Sequence, residues 1–474
     1  MKSKHLHPIT IWNYLSKFAF FLIIPIVQTL LARPTGWILF SNLSVLVFFL
    51  ALAVLQYLSC NYNIGDREFT YRSGFLFRIR RTIPMQRFLS ATVRCNPLLS
   101  LIGAAQIYLD TPAGGKKNAD VVMTLNKRGL QNLWNSMTVK HKRVYRASNK
   151  RILLMAASWS NPASGLLLVG ALLNRTGKIV GQALTQRLYE AVNQSYVLVA
   201  IGIPPATALL GYLLAAGWAV AFLHQFLHYA NFCIGTVPSN PNTVIRAEED
   251  FLTVQRGLFV KNRQLLSRDA ICAVSIRQTL VMRVFKLYSA YLHTFGSGKE
   301  KGDRSLLFAA IRKPELYQYL TAIFRKPLFS TKNSLNDTRP SKAALFSFLF
   351  TPLLLLICLL VLIGLLYWFY PEFAPLLFFF VPPVLWQLAI HFFAWKGSVL
   401  FVEKDKILAS GYRRLTLYTA CIPREQLQRV SVKQTFVQRF SGRCNVYLCT
   451  GAEKTGCFTV NNLDKQEVLR LLEM

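Results

Sequence analysis

The sequence predicts a membrane protein in which transmembrane α-hairpins alternate with three soluble α+β domains. Three observations indicate this fold class: apolar segments come in pairs, each pair precedes a strand-rich segment, and these strand-rich segments share a repeated pattern. Of the 474 residues, 53% are hydrophobic and only 16% are charged, whereas about a quarter of a typical globular domain is charged. So much apolar chain needs a lipid environment in addition to protein cores.

The first and last hairpins are the clearest of the apolar pairs. Residues 14–58 are predicted to form hairpin 1, with its turn at 33–36, and residues 345–395 to form hairpin 3, with its turn at 370–372. Each span contains about 20 largely apolar residues, which is the length that crosses a bilayer as a helix.

The middle of the chain is harder to interpret. Residues 191–232 are predicted to form hairpin 2, as two short helices with Gly211 at the turn and Pro204-Pro205 near the start. Residues 150–185 are predicted to be an apolar interfacial or packed helical segment, interrupted around 158–162. One or two further membrane spans in that segment are the alternative.

Positive charge predicts the orientation. The turns at 33–36 and 370–372 carry little positive charge, whereas Lys17, Lys342 and Lys396 lie at the opposite ends of their helices. By the positive-inside rule, the three soluble segments face the cytoplasm. The prediction is therefore a multi-pass protein of the cell membrane with all its soluble domains cytoplasmic.

One sequence pattern recurs three times. Residues 83–88, 266–271 and 422–427 match, and the match continues downstream in phase. The later matching positions are Val93, Ile276 and Val432, then Asn96, Thr279 and Thr435, then Leu101, Val284 and Phe440. The spacing is long enough for each copy to be a whole domain with its own hairpin.

Each copy combines strands with a short amphipathic helix at its end. β-rich runs alternate with glycine turns, and the terminal helices are predicted over 130–134, 316–323 and 468–472. Pro314 fits the first turn of the second helix and Asp464 is a plausible N-cap for the third. The pattern describes an antiparallel sheet or partial barrel closed by a helix.

This arrangement resembles the bacterial pleckstrin-homology-like (PH-like) domains of the membrane-flanked type, in the three-copy form of the YdbT-like family. The resemblance rests on His7-Pro8, Tyr71-Arg72-Ser73-Gly74, Ile83-Pro84 with Arg87, Leu101-Ile102-Gly103 and the turn at 109–115. It assigns PH-like domains 1, 2 and 3 to residues 59–140, 242–326 and 398–474. It implies a seven-stranded sheet capped by a C-terminal helix, no enzymatic activity and a smaller single-copy membrane partner.

No catalytic constellation stands out in the sequence. Acidic residues are missing from the middle of the clear spans, which argues against proton-coupled transport and intramembrane aspartyl proteolysis. The nine cysteines are predicted to be reduced thiols, without a zinc site. His224 and His228 lie four residues apart, and helix packing is the preferred interpretation over a metal or haem site. The chain is therefore predicted to be no enzyme and to hold no cofactor or metal.

The formal net charge of +34 implies an anionic partner. Lipid headgroups are preferred over nucleic acid, because the basic residues are scattered and no nucleic-acid motif accompanies them. The candidate anionic-lipid contacts are Arg78, Arg80, Arg81, Lys261, Arg263, Arg413 and Arg414. The preferred interpretation is solvated side chains near the inner leaflet, each gaining roughly 1 kcal/mol, and a specific headgroup site is the alternative.

Two functions follow as hypotheses. The first is a non-enzymatic scaffold whose PH-like domains assemble with each other, or with the smaller membrane partner, in maintaining or protecting the envelope. The second is a protein that handles lipids or transports an amphipathic substrate, motivated by Gly202, Pro204, Pro205 and Gly211 in the middle hairpin.

Overall fold

The computed structural model describes residues 4–18, 21, 23, 36–65, 68–75, 77–111, 119–137, 142–160, 205–238, 250–295, 305–324, 328–329, 337–371, 374–452 and 456–473. The chain forms two compact units. Unit 1 comprises Met1–Arg146, Phe232–Ala270 and Phe295–Asp303, and unit 2 comprises Ala147–Asn231, Ile271–Thr294 and Arg304–Met474. The division between Ala270 and Ile271 falls inside the segment 242–326 that the sequence assigns to one domain.

The strands lie in four antiparallel sheets in the described part of the chain. Unit 1 contains the four-stranded sheet β1-β2-β3-β4 and the seven-stranded sheet β7-β6-β5-β11-β10-β9-β8, and unit 2 contains the seven-stranded sheet β14-β13-β12-β18-β17-β16-β15 and the three-stranded sheet β19-β20-β21. The strands are β1 Lys4–His5, β2 Asn61–Ile64, β3 Glu68–Ser73, β4 Ile79–Pro84, β5 Ser90–Cys95, β6 Ala104–Asp110, β7 Val121–Asn126, β8 Lys142–Arg146, β9 Cys233–Pro238, β10 Asp250–Arg256, β11 Lys261–Leu266, β12 Ile271–Gln278, β13 Leu287–Thr294, β14 Ser305–Arg312, β15 Asp337–Thr338, β16 Val399–Val402, β17 Lys406–Arg413, β18 Thr416–Pro423, β19 Leu427–Lys433, β20 Arg443–Thr450 and β21 Cys457–Asp464.

The helices alternate with these strands along the chain. They are α1 Thr10–Leu15, α2 Gly36–Leu58, α3 Pro97–Leu101, α4 Lys127–Met137, α5 Asn149–Trp159, α6 Pro205–Tyr229, α7 Leu280–Val284, α8 Lys313–Phe324, α9 Ala344–Phe369, α10 Ala374–Leu377, α11 Val381–Gly397, α12 Phe436–Phe440 and α13 Lys465–Glu473.

Each sequence repeat contributes four strands, then three strands, then a terminal helix. Repeat 1 consists of β1–β4, β5–β7 and α4, repeat 2 of β8–β11, β12–β14 and α8, and repeat 3 of β15–β18, β19–β21 and α13. The predicted terminal helices are therefore confirmed. Backbone N–H groups of Gln466 and Glu467 donate to Asp464 Oδ1 at 2.9 and 3.3 Å, so Asp464 is the N-cap of α13.

Neighbouring repeats share sheets. The last three strands of repeat 1 join the four strands of repeat 2 through pairing of β5 with β11. The last three strands of repeat 2 join the four strands of repeat 3 in the same way, through pairing of β12 with β18. Each seven-stranded sheet is thus built from two successive repeats.

The recurring sequence pattern marks the corner between the two halves of a repeat. At 83–88, 266–271 and 422–427 a strand ends and a turn of 3₁₀ helix follows before the next strand begins. Downstream, Asn96, Thr279 and Thr435 are the N-cap residues of α3, α7 and α12. The hydroxyls of Thr279 and Thr435 accept hydrogen bonds from the first turn of their helices, which is why small polar residues recur at this position.

Each of the two units contains an apolar core. In unit 1, Phe69, Leu109 and Leu125 from both halves of repeat 1 pack with Leu133 of α4. Leu265 of repeat 2 lies in the same core. In unit 2, the corresponding core of repeat 3 joins residues of β16–β18 to residues of β20, β21 and α13. These buried faces explain the alternation of apolar and polar residues along the strands.

Four helices in the described part of the chain are long and apolar enough to cross a membrane: Leu39–Leu58, Leu210–Tyr229, Ala344–Phe369 and Phe378–Gly397. They correspond to the second span of hairpin 1, to part of hairpin 2 and to both spans of hairpin 3. Most of the first predicted span lies outside the described residues. So do residues 161–204, which include most of the predicted interfacial segment; its described part, α5, ends at Trp159 as the sequence indicates.

The prediction of a turn at Gly211 is wrong. Residues 205–229 form one continuous helix that begins with Pro205 and contains Gly211. Gly211 lies where a Cβ would meet the ring of Phe379 at 3.4 Å. The glycine therefore lets α6 pack closely against hairpin 3, as small residues do between membrane helices.

A histidine compensates for the proline in the first helix of hairpin 3. Pro352 lies inside α9 and has no N–H to donate to the carbonyl of Phe348, four residues earlier. His391 Nδ1 lies 2.7 Å from that carbonyl oxygen, and the histidine is only 6% exposed. Because a carbonyl can only accept, Nδ1 carries the proton and donates it. This bond ties α11 to α9.

The prediction that the cysteines are reduced thiols is wrong for one pair, because Cys449 and Cys457 form a disulfide. They are directly opposite on β20 and β21, with their Cα atoms 4.0 Å apart. This proximity results from strand register, which the irregular spacing of the cysteines in the sequence did not reveal.

Replacing His391 by alanine is expected to destabilise hairpin 3 by about 1–3 kcal/mol, since it leaves the buried Phe348 carbonyl without its donor. In a Pro352→Ala background, residue 352 supplies an N–H to the same carbonyl, so His391→Ala should cost clearly less. Thermal unfolding of the four combinations in detergent measures this coupling. His224→Ala, at an exposed position on α6, is the matched control. Equal losses in both backgrounds would contradict the proposed compensation.

Candidate functional site: the membrane-facing rims

In repeats 1 and 3, strand register places one turn beside the end of a membrane-spanning helix. In repeat 1, β2 begins three residues after α2 ends, and its first residue, Asn61, pairs with Arg72 near the end of β3. The turn at 74–78 therefore lies at the membrane end of the sheet. In repeat 3 the same connection places the turn at 413–416 beside the end of α11.

Glycine shapes two of these turns. Gly74 and Gly257 occupy equivalent positions with φ of 101° and 97°, in the region that disfavours other residues. A Cβ at Gly74 would collide with the carbonyl of Phe77, and one at Gly257 with the carbonyl of Val260. Both turns expose the phenylalanines that follow the glycine.

The short helices α3 and α7 lie at the same end of the sheets as these turns. Cys95, just before α3, pairs with Lys261, just after the turn at 257–260. Gln278, just before α7, pairs with Leu417, just after the turn at 413–416. We name the turns at 74–78 and 257–260 with α3 the unit 1 rim. The turn at 413–416 with α7 and α12 is the unit 2 rim.

Both rims expose large apolar side chains. The most exposed are Phe77 (84%) and Leu101 (84%) in unit 1, and Val284 (78%) and Phe440 (80%) in unit 2. The other exposed apolar rim residues are Phe75, Leu98, Leu258, Phe259, Leu415, Phe436 and Val437. Clustered apolar side chains at the end of a membrane helix fit the interfacial region of a bilayer, where they leave water.

Direct contacts tie the unit 2 rim to hairpin 3. The ring of Tyr412 lies 4.5 Å from that of His391 and 6.2 Å from that of Phe348. Burial of Tyr412 raises its pKa above the usual value, so the phenol stays neutral. On α7, the guanidinium of Arg283 lies 4.3 Å from the ring centroid of Phe393. The rim is therefore fixed to the base of the hairpin.

A chain of polar contacts fixes α12 to the same hairpin. Gln438 of α12 donates through Nε2 to Asn462 Oδ1, and Ser347 Oγ of α9 donates to the same oxygen at 3.2 Å. Gln438 also completes a capping box with Thr435. These bonds hold the exposed Phe436 and Phe440 near the start of α9.

The structure places most of the predicted lipid contacts at the rims or on the strands leading from them. Arg78, Arg80, Arg81 and Lys261 in unit 1, and Arg413 and Arg414 in unit 2, are exposed. Arg81 donates to the carbonyl of Asp120, and Arg413 Nη1 lies 3.5 Å from that of Cys457. These exposed cations thus lie near the exposed apolar side chains of the rims, which we call the apolar tips.

Arg263 has a different position from the other predicted contacts. Its guanidinium lies over the ring of Trp134 in α4, 4.0 Å from the centroid. Burial lowers the pKa of Arg263, although Cys233 opposes the shift. This arginine covers the core of repeat 1 and packs on protein, which makes it a structural residue.

The apolar tips are what sequence reasoning missed. Leu101, Val284 and Phe440 were found as one repeated position, but no role followed from them. The sequence did contain a signal for them: apolar residues recur next to glycine turns, where polar residues are expected.

Unit 2 also contains a cleft of about 230 Å³ between α7, β18 and the end of α11. Arg283 and Lys313 line it together with Gln278 and Tyr288. Lys313 Nζ lies 5.7 Å from the ring centroid of Tyr317. Both cations therefore stack on aromatic rings at this membrane end, and neither was selected from the sequence.

The buried thiols have the properties of core residues. Burial raises the pKa of Cys421 to about 12 and that of Cys444 to about 11, so both stay protonated near neutral pH and are poor nucleophiles. His224 and His228 stack on one helix face with ring centroids 6.2 Å apart. Among the described residues, no group of three or more His, Cys, Asp or Glu side chains could hold a metal ion.

Comparison with known proteins agrees with this architecture. The family model described as "Bacterial PH domain" matches residues 18–138, 182–325 and 344–473, which together make up most of the chain. The chain belongs to the bacterial PH domain family. Each match spans a predicted membrane segment, the strands that follow it and a terminal helix, whereas the first strand of each repeat (β1, β8 or β15) precedes the matched residues.

One curated relative covers most of the chain. It is the "UPF0699 transmembrane protein YdbT" of Bacillus subtilis (strain 168), which is 21% identical over 431 residues, covering 83% of this chain and 80% of the relative. No solved structure matches. With the four apolar helices, these findings confirm the predicted fold class: a membrane protein that carries three PH-like domains.

Proposed function

We propose that this protein is a non-enzymatic membrane scaffold that holds its PH-like modules against an anionic, cytoplasmic membrane surface. The observation that carries the proposal is the composition of the rims, where exposed apolar tips and arginines lie together beside the ends of membrane helices. Apolar side chains gain free energy on entering the interface, and neighbouring cations gain from anionic headgroups. Such a surface adheres to lipid broadly and needs no enclosed substrate pocket.

Shared sheets support a scaffold role. Pairing of β5 with β11 joins repeats 1 and 2 by backbone hydrogen bonds, and pairing of β12 with β18 joins repeats 2 and 3. Modules joined in this way are presented together, unlike domains on flexible linkers. A role in maintaining or protecting the envelope is part of the proposal.

Lipid handling or transport has less support. Its motivation was a broken middle hairpin, and the described part of that hairpin is a continuous helix in which Gly211 packs against Phe379. Residues Gly202 and Pro204 lie outside the described residues.

Charge reversal at the unit 2 rim tests the proposed membrane contact. Arg413→Glu combined with Arg414→Glu should lower the anionic fraction of the lipids that co-extract with the protein severalfold, since each rim cation gains roughly 1 kcal/mol near an anionic surface. Mass spectrometry of lipids in polymer nanodiscs measures that fraction. Arg424→Glu is the matched control, because it is exposed at the other end of β18. An unchanged lipid composition in the double variant would refute the proposal.

Cysteine labelling in intact cells tests the cytoplasmic orientation. With Cys358 replaced by serine, Tyr370→Cys in the turn of hairpin 3 should react with a membrane-impermeant maleimide, whereas Lys404→Cys between β16 and β17 should react only after permeabilisation. Both positions are exposed. The opposite labelling pattern would place the modules outside.

A further inference from the structure

Two strands in the described part of the chain lack the neighbour that their counterparts have. Strand β4 occupies the same place in repeat 1 as β11 in repeat 2 and β18 in repeat 3. Strand β11 pairs with β5, and β18 pairs with β12. Strand β4 is the edge of its four-stranded sheet. Likewise β19 corresponds to β5 and β12 but is the edge of its three-stranded sheet. The described residues therefore contain one unpaired edge of each kind.

The two internal junctions have the same register. Val93 lies opposite Arg263 in the first junction, and Ile276 lies opposite Thr419 in the second. Val93, Ile276 and Val432 occupy equivalent positions in the three repeats. The shared pattern begins at residues 83, 266 and 422, and the residues three positions earlier are Arg80, Arg263 and Thr419, which are therefore also equivalent. A third junction in this register would place Val432 opposite Arg80.

Burial differs at the free edges in the way that a missing strand would cause. Val93 and Ile276 are 7% and 8% exposed, whereas the equivalent Val432 is only partly buried at the edge of the repeat 3 core. On the other kind of edge, Leu265 and Cys421 are buried, whereas the equivalent Thr82 is exposed. Both kinds of surface are covered at the internal junctions and uncovered at β4 and β19.

We propose that β19 of one molecule pairs with β4 of a second copy of this chain, in the register of the internal junctions. The pairing is antiparallel and joins the three-stranded sheet of one copy to the four-stranded sheet of the next. A second copy would then be the partner of the proposed scaffold. The pairing is argued from the strand edges, and only its biological purpose rests on the proposed function. Because the two edges differ, the contact is head-to-tail and each copy keeps a free edge for another.

The second copy is the occupant that the repeats themselves indicate. This chain makes the same edge-to-edge contact twice between its own modules. Backbone hydrogen bonds along six or seven residues supply the affinity, as in other β-strand additions. In the described part of the chain, the backbones of β4 and β19 have hydrogen-bonded strand partners on one side only.

Charge makes this contact weaker than the internal junctions. In the proposed register Arg81 lies diagonal to Arg429 and Lys433 of the other copy, and like charges at such positions repel. In the first internal junction, the uncharged Gln264 occupies the position of Arg81 and the uncharged Ser90 occupies the position of Arg429. Natural edge strands use such charges to limit pairing. Because Lys433 and Arg80 lie towards the rim end of their strands, anionic headgroups should offset the repulsion and confine pairing to the membrane.

Disulfide cross-linking between two chains tests the register. One tagged chain carries Val432→Cys and a differently tagged chain carries Arg80→Cys, both with Cys358→Ser, so a cross-link requires two molecules. In membranes rich in anionic phospholipid, mild oxidation should yield a 432–80 dimer. The matched control is Val432→Cys with Arg81→Cys, whose side chain points to the opposite face of the same strand, and its yield should be at least severalfold lower. Adding Arg81→Glu to the Arg80→Cys chain should raise the yield, because it replaces repulsion by attraction.

The alternatives give distinct outcomes. Equal yields for the Arg80 and Arg81 positions, or no dimer in chains that still co-extract anionic lipid, would overturn the pairing and leave the proposed membrane contact intact. A cross-link from either cysteine to a smaller protein instead of this chain would overturn the choice of a second copy. Loss of anionic lipid enrichment with a persistent 432–80 dimer would instead contradict the proposed membrane role alone.

Discussion

The architecture depends on one antiparallel pairing, in which the last strand of a four-stranded half lies beside the first strand of the preceding three-stranded half. It uses the backbone groups of β5 and β11, and of β12 and β18, that would otherwise face water at a sheet edge. It also completes the cores. Leu265 of repeat 2 lies in the core of repeat 1, opposite Ala91. A PH-like module in this chain is thus finished by its successor.

The same pairing positions the rims. Once β11 lies beside β5, the helix that follows β5 must lie beside the turn that precedes β11, and the covalent link to a membrane helix fixes which end of the sheet faces lipid. In unit 2 the link is reinforced by packing, since Tyr412 touches residues of both helices of hairpin 3. His391 in turn satisfies the carbonyl that Pro352 leaves free. The apolar tips and their neighbouring arginines follow from strand register and chain connection, without a dedicated binding pocket.

Local features of the fold could be predicted from the sequence, whereas features that depend on distant partners could not. Apolar length identified hairpin 3, and the repeated Asn96, Thr279 and Thr435 marked what the structure shows to be three helix N-caps. Sheet sharing between repeats was missed, because an edge strand has the same alternating pattern whichever neighbour it pairs with. The Cys449–Cys457 disulfide and the position of Arg263 over Trp134 were also missed, because each depends on strand pairing or packing that the sequence pattern does not show. Gly211 was misassigned because a glycine that permits close helix packing and a glycine at a turn look alike in one sequence.

Hydrogen exchange of the detergent-solubilised monomer tests the sharing of sheets most directly. Strands β4 and β11 are equivalent in the repeats, but β11 is paired on both sides and β4 on one side. Peptides covering Lys261–Leu266 should therefore retain nearly all their amide protons, whereas peptides covering Ile79–Pro84 should lose about half of theirs quickly, because outward amides of an edge strand face water. Equally fast partial exchange in both strands would contradict the fusion of neighbouring repeats through one sheet.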